Sequence, residues 1–257
     1  MLISIIIPVY NEFRTFSQVL ERVRRAPLPA GCTKEIVVVD DGSTDGTAQI
    51  FSEHARAGII VGHHSERNLG KGSALRTGIE IASGDIILVQ DGDLEYDPSD
   101  YARLLDPIVK GRADVVYGSR FLGSSAGAAR IKPQMELRYR IANHLLTASA
   151  NLLFGAGLTD EATAYKAFRA SLLREIRLEC ERFEFCPEVT AKLSRLGHPI
   201  HEVPISYNAR CIADGKKIRF EDGVEALWTL IKYRVAPRKT LVRRDSHEPA
   251  TVPSHSY

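Results

Sequence analysis

Short runs of apolar, β-branched residues recur through the first half of the chain, and each is followed by a stretch with helical periodicity. The runs fall at 3–9, 35–39, 86–90 and 113–117, with a shorter one at 59–62. The stretches between them predict helices over 12–25, from a cap at Asp45 through 54, over 73–82, and from the Asp97-Pro98-Ser99 start through 110. The run at 86–90 is apolar at successive positions, as a strand covered on both faces requires. A repeated β-α order of this kind predicts an α/β fold with a mostly parallel sheet flanked by helices. Such sheets bind ligands beyond the carboxyl ends of their strands. The residues directly after each run are therefore the ones to read for chemistry.

The second half has a different texture. A Gly/Ser-rich loop at 123–130 precedes helical patterns over 134–154, 170–176 and 186–196, then a strand at 201–207. Val224, Leu227, Trp228, Ile231 and Val235 recur at helical spacing within 222–235, a stripe that suits either core packing or an interfacial position. This divides the chain into a main domain over 1–221, an amphipathic helix over 222–235 and a basic, disordered tail over 236–257.

Composition narrows the class. Of the 257 residues, 44% are hydrophobic and 26% charged, which excludes a disordered tail protein and a disulfide mini-scaffold. A net charge of +2 argues against a nucleic-acid binder. Residues 232–257 alone carry Lys232, Arg234, Arg238, Lys239, Arg243 and Arg244 against Asp245 and Glu248, a net +4 that leaves −2 on the rest. A basic end of this kind suits an anionic lipid surface or plain solvent. Cys32, Cys180, Cys186 and Cys211 form no CxxC pair and no zinc-spaced cluster, so free thiols in a reducing compartment are expected. The N-terminus reads as a strand rather than a signal peptide, and no apolar run reaches spanning length.

Four segments carry the chemistry. Gln90-Asp91-Gly92-Asp93-Leu94-Glu95 follows the run at 86–90; in an extended chain Asp91, Asp93 and Glu95 would share one side. Three hard carboxylates with no basic neighbour in sequence suit Mg²⁺ or Mn²⁺, with room left for phosphate oxygens. Asp40 and Asp41 follow the run at 35–39, where a carboxylate can accept hydrogen bonds from a base or ribose, and Val39 shares the parity of Asp41. Pro8, Tyr10 and Glu12 close the first run, Tyr10 offering a flat face and Glu12 an acceptor. The glycine turn at 70–72 opens a helix that can approach a phosphate, although it is no Walker loop.

Taken in order, PVYNE (8–12), VVVDDGSTDGT (37–47), GKGSALRTG (70–78) and QDGDLEYDP (90–98) resemble the family 2 inverting glycosyltransferases of GT-A, Rossmann-like fold. Later segments, YGSR (117–120), TDEATAYKAFR (159–169), EVPISYNAR (202–210) and GKKI (215–218), are similar to the dolichol-phosphate and polyprenol-phosphate mannosyltransferases within it. The resemblance spans about residues 2–235. It implies that Pro8, Tyr10, Glu12, Val39, Asp40 and Asp41 hold the nucleotide, and that Asp91, Gly92 and Asp93 form the D-x-D motif, with Glu95 as a third metal ligand. Arg120 would contact phosphate in catalysis alongside Asp91 and Asp93. Arg210 and Lys216 would lie near the donor and acceptor phosphates, with Arg130 a further candidate for the acceptor.

The implied reaction is inverting, metal-dependent transfer of a hexose to a polyprenyl or dolichyl phosphate, with GDP-mannose as the leading donor. The alternatives are a UDP-glucose donor, or a sugar hydroxyl as acceptor. A lipid phosphate is already ionised and needs no strong general base; a sugar hydroxyl would need one, for which Asp160 and Glu161 are candidates. The expected partners are a nucleotide-sugar donor and a lipid acceptor, with peripheral contact at the cytoplasmic face of a membrane, and a membrane subunit is compatible with this.

Overall fold

The computed structural model describes residues 1–122, 136–210 and 220–243. Its seven strands are β1 (Leu2–Val9), β2 (Thr33–Asp40), β3 (Val61–His64), β4 (Ile86–Val89), β5 (Val115–Ser119), β6 (Lys166–Arg169) and β7 (His201–Pro204). They form one sheet in the order β3-β2-β1-β4-β6-β5-β7. All neighbours pair in parallel except β6, which runs antiparallel to both β4 and β5. The order reverses beside β1, which opens a crevice at the carboxyl ends of β1, β2 and β4.

The helices are α1 (Phe16–Arg25), α2 (Thr47–Arg56), α3 (Lys71–Ile81), α4 (Tyr101–Val109), α5 (Leu137–Phe154), α6 (Ala170–Glu175), α7 (Phe185–Leu196) and α8 (Phe220–Val235). Strand β1 explains the layering. Ile3, Ile5 and Ile7 join one core with Phe16, Leu20 and Val23 of α1 and Leu104 and Ile108 of α4. Ile6 points the other way, into a second core with Leu75 and Ile79 of α3 and Val189 and Leu193 of α7. Alternate residues of a strand face opposite sides, so a run apolar at every position is what a doubly covered strand needs.

Three expectations need correction. Strand β6 was not expected; Lys166-Ala-Phe-Arg is short and charged at both ends. Helix α8 is no separate appendage: Leu230 and Tyr233 pack with Ala150 of α5 and Ala191 of α7 in a third core. Of the two readings left open for its apolar stripe, core packing and an interfacial position, the structure shows the outward one, with Trp228 63% exposed. The tail is ordered through 243, since Leu241 is fully buried and Val242 bridges Ile176; residues 244–257 lie outside the described residues. Cys32, Cys180 and Cys186 are unpaired thiols, as expected, and Cys211 lies outside the described residues.

Candidate functional site

The loops after β1 and β2 are laced together by short polar side chains. Asn11, at a left-handed φ of 51°, donates its N–H to Ser43 Oγ and accepts from the Thr44 N–H at 2.8 Å. The Glu12 N–H donates to Thr47 Oγ1 at 3.0 Å. Asp45 accepts from the N–H groups of Phe13 and Thr47, so it ties the two loops as well as the start of α2. These bonds fix where Tyr10 and Glu12 stand.

The Asp40-Asp41 pair has a structural occupation. Asp40 accepts from the Ser43 N–H at 3.1 Å and lies 2.9 Å from His64 Nδ1 at the end of β3. Asp41 accepts from the N–H groups of Leu69 and Gly70 at 2.8 and 2.7 Å, which anchors the turn into α3. Burial, reinforced by the adjacent Asp40 charge, raises the Asp41 pKa despite those bonds. Val39 is fully buried, so its side chain offers no surface to a ligand; the parity shared with Asp41 does not carry it into the crevice.

Five charged groups meet beyond the ends of β1 and β4. Lys71, the first residue of α3, places Nζ 2.5 Å from Asp91 Oδ1. Arg210, beyond β7, pairs with Asp93 and with Glu12, the latter at 3.1 and 3.2 Å. Gly92 is buried against Pro8 and Val9. Asp93 is pushed up to about 6, first by burial and then by the Asp91 charge, with Arg210 opposing.

Glu95 does not join this cluster as a third ligand. Its Oε1 accepts from the Arg210 N–H at 2.7 Å and its Oε2 from the Tyr207 hydroxyl at 3.0 Å, while its carbonyl accepts from the Asn208 N–H. The chain turns after Asp91 instead of extending, so alternation no longer aligns the three carboxylates. Among the described residues no group of three His, Cys, Asp or Glu is spaced to hold a metal. Asp91 and Asp93 still fit Mg²⁺ or Mn²⁺, because these ions settle on one or two carboxylates and take the rest from phosphate and water. A cation would also relieve a carboxylate whose ionised form is disfavoured first by burial and then by the Asp91 charge.

Arg120 is not presented to phosphate. Its Nε and Nη2 both donate to Asp160 at 2.7 Å, its N–H donates to the same carboxylate, and its side chain is 7% exposed. Asp160 also accepts from Asn143 Nδ2 of α5. Arg130 and Lys216 lie outside the described residues. Lys71, which meets Asp91, was passed over in reading by motif; the glycine turn before it was the available signal.

The sheet is covered on both faces, and the carboxylate pair Asp91 and Asp93 stands beyond its switch point, where open α/β sheets bind ligands. The family model for glycosyl transferase family 2 matches residues 4–177. The chain belongs to that family. It is 28% identical over 213 residues to dodecaprenyl-phosphate galacturonate synthase of Rhizobium johnstonii, covering 81% of this chain and 59% of that protein. It is 31% identical to undecaprenyl-phosphate 4-deoxy-4-formamido-L-arabinose transferase of Edwardsiella ictaluri, covering 81% of this chain and 60% of that protein. The chain thus spans about three fifths of the length of these curated relatives. Among solved structures it resembles glucosyl-3-phosphoglycerate synthase of Mycobacterium tuberculosis with uridine diphosphate, at 21% identity and a TM-score of 0.67 over 91% of this chain and 80% of that one. The GT-A arrangement expected from the sequence is the one observed.

Proposed function

We propose that this chain transfers a sugar, with inversion, from a uridine-diphosphate donor to a polyprenyl phosphate at the cytoplasmic face of a membrane, using Mg²⁺ or Mn²⁺. The carrying observation is the D-x-D pair Asp91 and Asp93 at a strand end, faced by Lys71 and Arg210. The acceptor class follows the names of the two curated relatives, both prenyl-phosphate enzymes. Those names carry galacturonate and 4-deoxy-4-formamido-L-arabinose, and the solved neighbour holds uridine diphosphate, so a UDP-sugar is favoured over the GDP-mannose first expected.

Asp91 and Asp93 would hold the cation, which supplies charge stabilisation for the departing diphosphate. Lys71 and Arg210 pair with these two carboxylates and would be available to phosphate oxygens once the cation is held, with Pro8, Tyr10 and Glu12 on the nucleotide side. Arg120 acts through Asp160 as a positioning residue. A hydroxyl acceptor would need a positioned base, yet Asp160 is committed to Arg120 and Asn143, and Glu161 is fully buried. An ionised phosphate acceptor needs neither. Lys216 and Arg130 remain the candidates for that phosphate.

Thermal stabilisation by UDP, UDP-sugars, GDP and GDP-mannose with Mn²⁺ tests the donor, since a ligand bound by the native state raises the melting temperature. Product analysis with polyprenyl phosphate against free sugars tests the acceptor. A preference for guanosine nucleotides, or transfer only to sugars, would overturn the reading.

A further inference from the structure

The glycine turn at 70–72, which in sequence offers a helix end to a phosphate, has its N–H groups engaged within the protein. Leu69 and Gly70 donate to Asp41, Gly72 donates to the Arg182 carbonyl at 2.7 Å, and Ser73 donates to the Glu181 carbonyl at 2.9 Å. Helix α3 has no side-chain cap and no acidic residue in its first turn, so these two carbonyls from a distant segment do the capping. Arg76 Nη1 adds a bond to the Cys180 carbonyl at 3.4 Å. The docking also explains why glycines flank Lys71. A Cβ at Gly70 would collide with the Glu181 carbonyl oxygen, and one at Gly72 would stand 2.9 Å from the carbonyl carbons of Cys180 and Glu181.

The other edge of the same segment is bound to α7. Four consecutive N–H groups donate to two carboxylates one helical turn apart. Glu179 and Cys180 donate to Glu188 at 2.8 and 2.7 Å, and Glu181 and Arg182 donate to Glu184, the N-cap residue of α7, at 2.5 and 2.9 Å. Successive N–H groups of this kind cradle an anion, and peptide groups held by a carboxylate are polarised into better acceptors on their far side. Residues 179–182 are thus a bracket, anchored on α7 and holding the start of α3. Lys71 is the residue that needs it. A cation in the first turn of a helix opposes the helix dipole, and this one is directed at Asp91 with Nζ 2.5 Å from Oδ1. We infer that Glu184 is a positioning residue for the donor site, acting through residues 179–182 and the first turn of α3 to place Lys71. Glu188 shares the bracket but is buried and bound to Lys192 and Tyr233, so Glu184 is the carboxylate that can be varied alone. The role at a donor site rests on the proposed function, whereas the placing of Lys71 is measurable without a donor.

Reductive methylation of the free full-length protein, read by peptide mass analysis, reports the reactivity of each lysine. Glu184→Ala should release Lys71 from Asp91 and raise its labelling by about threefold or more, because a nearby carboxylate favours the unreactive charged form. Lys34 and Lys110 should keep their rates, and the melting temperature should fall by only about 2–4 °C, as for a lost cap. Glu184→Gln, with one acceptor oxygen left, should fall between. Arg182→Ala keeps the bracket's backbone and should label as wild type. Calorimetry with UDP and Mn²⁺ reads the consequence. Lys71→Ala should weaken UDP by about tenfold, and Glu184→Ala should weaken it in the wild-type background yet change it by less than about twofold when Lys71 is already alanine. Unchanged Lys71 labelling in Glu184→Ala, additive losses in the double variant, or an equal effect of Arg182→Ala would overturn the inference. Labelling that responds as expected in a protein that binds no UDP would uphold the placing of Lys71 and count against the proposed donor.

Discussion

Arg210 lies against Asp93, so a cation from beyond the last strand of the sheet occupies the second carboxylate of the D-x-D turn. Lys71 does the same for Asp91. The protein thereby compensates the proposed metal site with two side chains that are also suited to phosphate. Buried carboxylates left unpaired would be costly, and the pairing shows how the crevice is kept stable without a ligand.

Competition between Arg210 and a metal ion for Asp93 has a measurable consequence. Arg210→Ala should tighten Mn²⁺ binding to the free protein and weaken donor binding by about tenfold, or ~1.4 kcal/mol. Calorimetry with Mn²⁺ alone, followed by titration with a UDP-sugar, reads both. Loss of metal affinity in the variant would show that Arg210 is no placeholder.

Glu95 holds the segment that carries Arg210 through Tyr207 and the Arg210 N–H. Glu95→Ala should leave Mn²⁺ affinity within about twofold of wild type while lowering kcat by roughly tenfold or more, since a displaced positioning group costs that much without touching the metal. Asp91→Ala, by contrast, should lose metal binding outright. Equal metal losses in the two variants would restore Glu95 as a ligand.

The Arg120–Asp160 pair is buried on both sides. Asp160→Ala strands a guanidinium that desolvation already penalises, and should lower the unfolding free energy by about 3–5 kcal/mol. The double variant Arg120→Met/Asp160→Leu removes both charges and should recover more than half of that loss. Urea unfolding of the three proteins provides the comparison.

Much of this architecture was legible because strands β1, β2, β4 and β5 are apolar on both faces and the chemistry stands directly after them. Ile3 through Val9 and Ile86 through Val89 admit little else. Strand β6 escaped because Lys166 supplies no apolar signal; it is buried against the Tyr117 ring, 3.4 Å from its centroid, a contact made only in the folded chain. Glu95 was misplaced because alternation holds for an extended chain and this one turns at Gly92. Arg120 was assigned to phosphate by its motif, and its partner lies forty residues on. Spacing reports local geometry, and pairings across the sheet are decided by packing.

Glu161 is fully buried, neither carboxylate oxygen has a hydrogen-bond partner, and burial raises its pKa, with Lys166 opposing. A carboxyl raised in the folded state stabilises most below its unfolded pKa, and that contribution is lost as pH rises through the folded value. Glu161→Gln removes the titration. The stability of the variant relative to wild type should therefore increase from acidic to neutral pH. Unfolding curves across that interval test it, and a stability of the variant relative to wild type that falls with rising pH would contradict the assignment.

Gly92 shows how tightly the D-x-D turn is seated on the first strand. A Cβ at this position would stand 2.7 Å from Val9 Cγ1 and 3.2 Å from the Pro8 carbonyl oxygen. The backbone there is not left-handed, so the demand for glycine is one of space. Gly92→Ala should cost about 1–3 kcal/mol by overpacking and should weaken Mn²⁺ binding, because Asp91 and Asp93 flank the displaced residue. Gly223 in α8 supplies the contrast. A Cβ there meets nothing within 4 Å, and Gly223→Ala should gain up to about 1 kcal/mol from helix propensity with metal binding unchanged. Thermal unfolding and Mn²⁺ titration of the two variants distinguish a site glycine from a merely helical one, and equal behaviour would mean that the turn can yield away from β1.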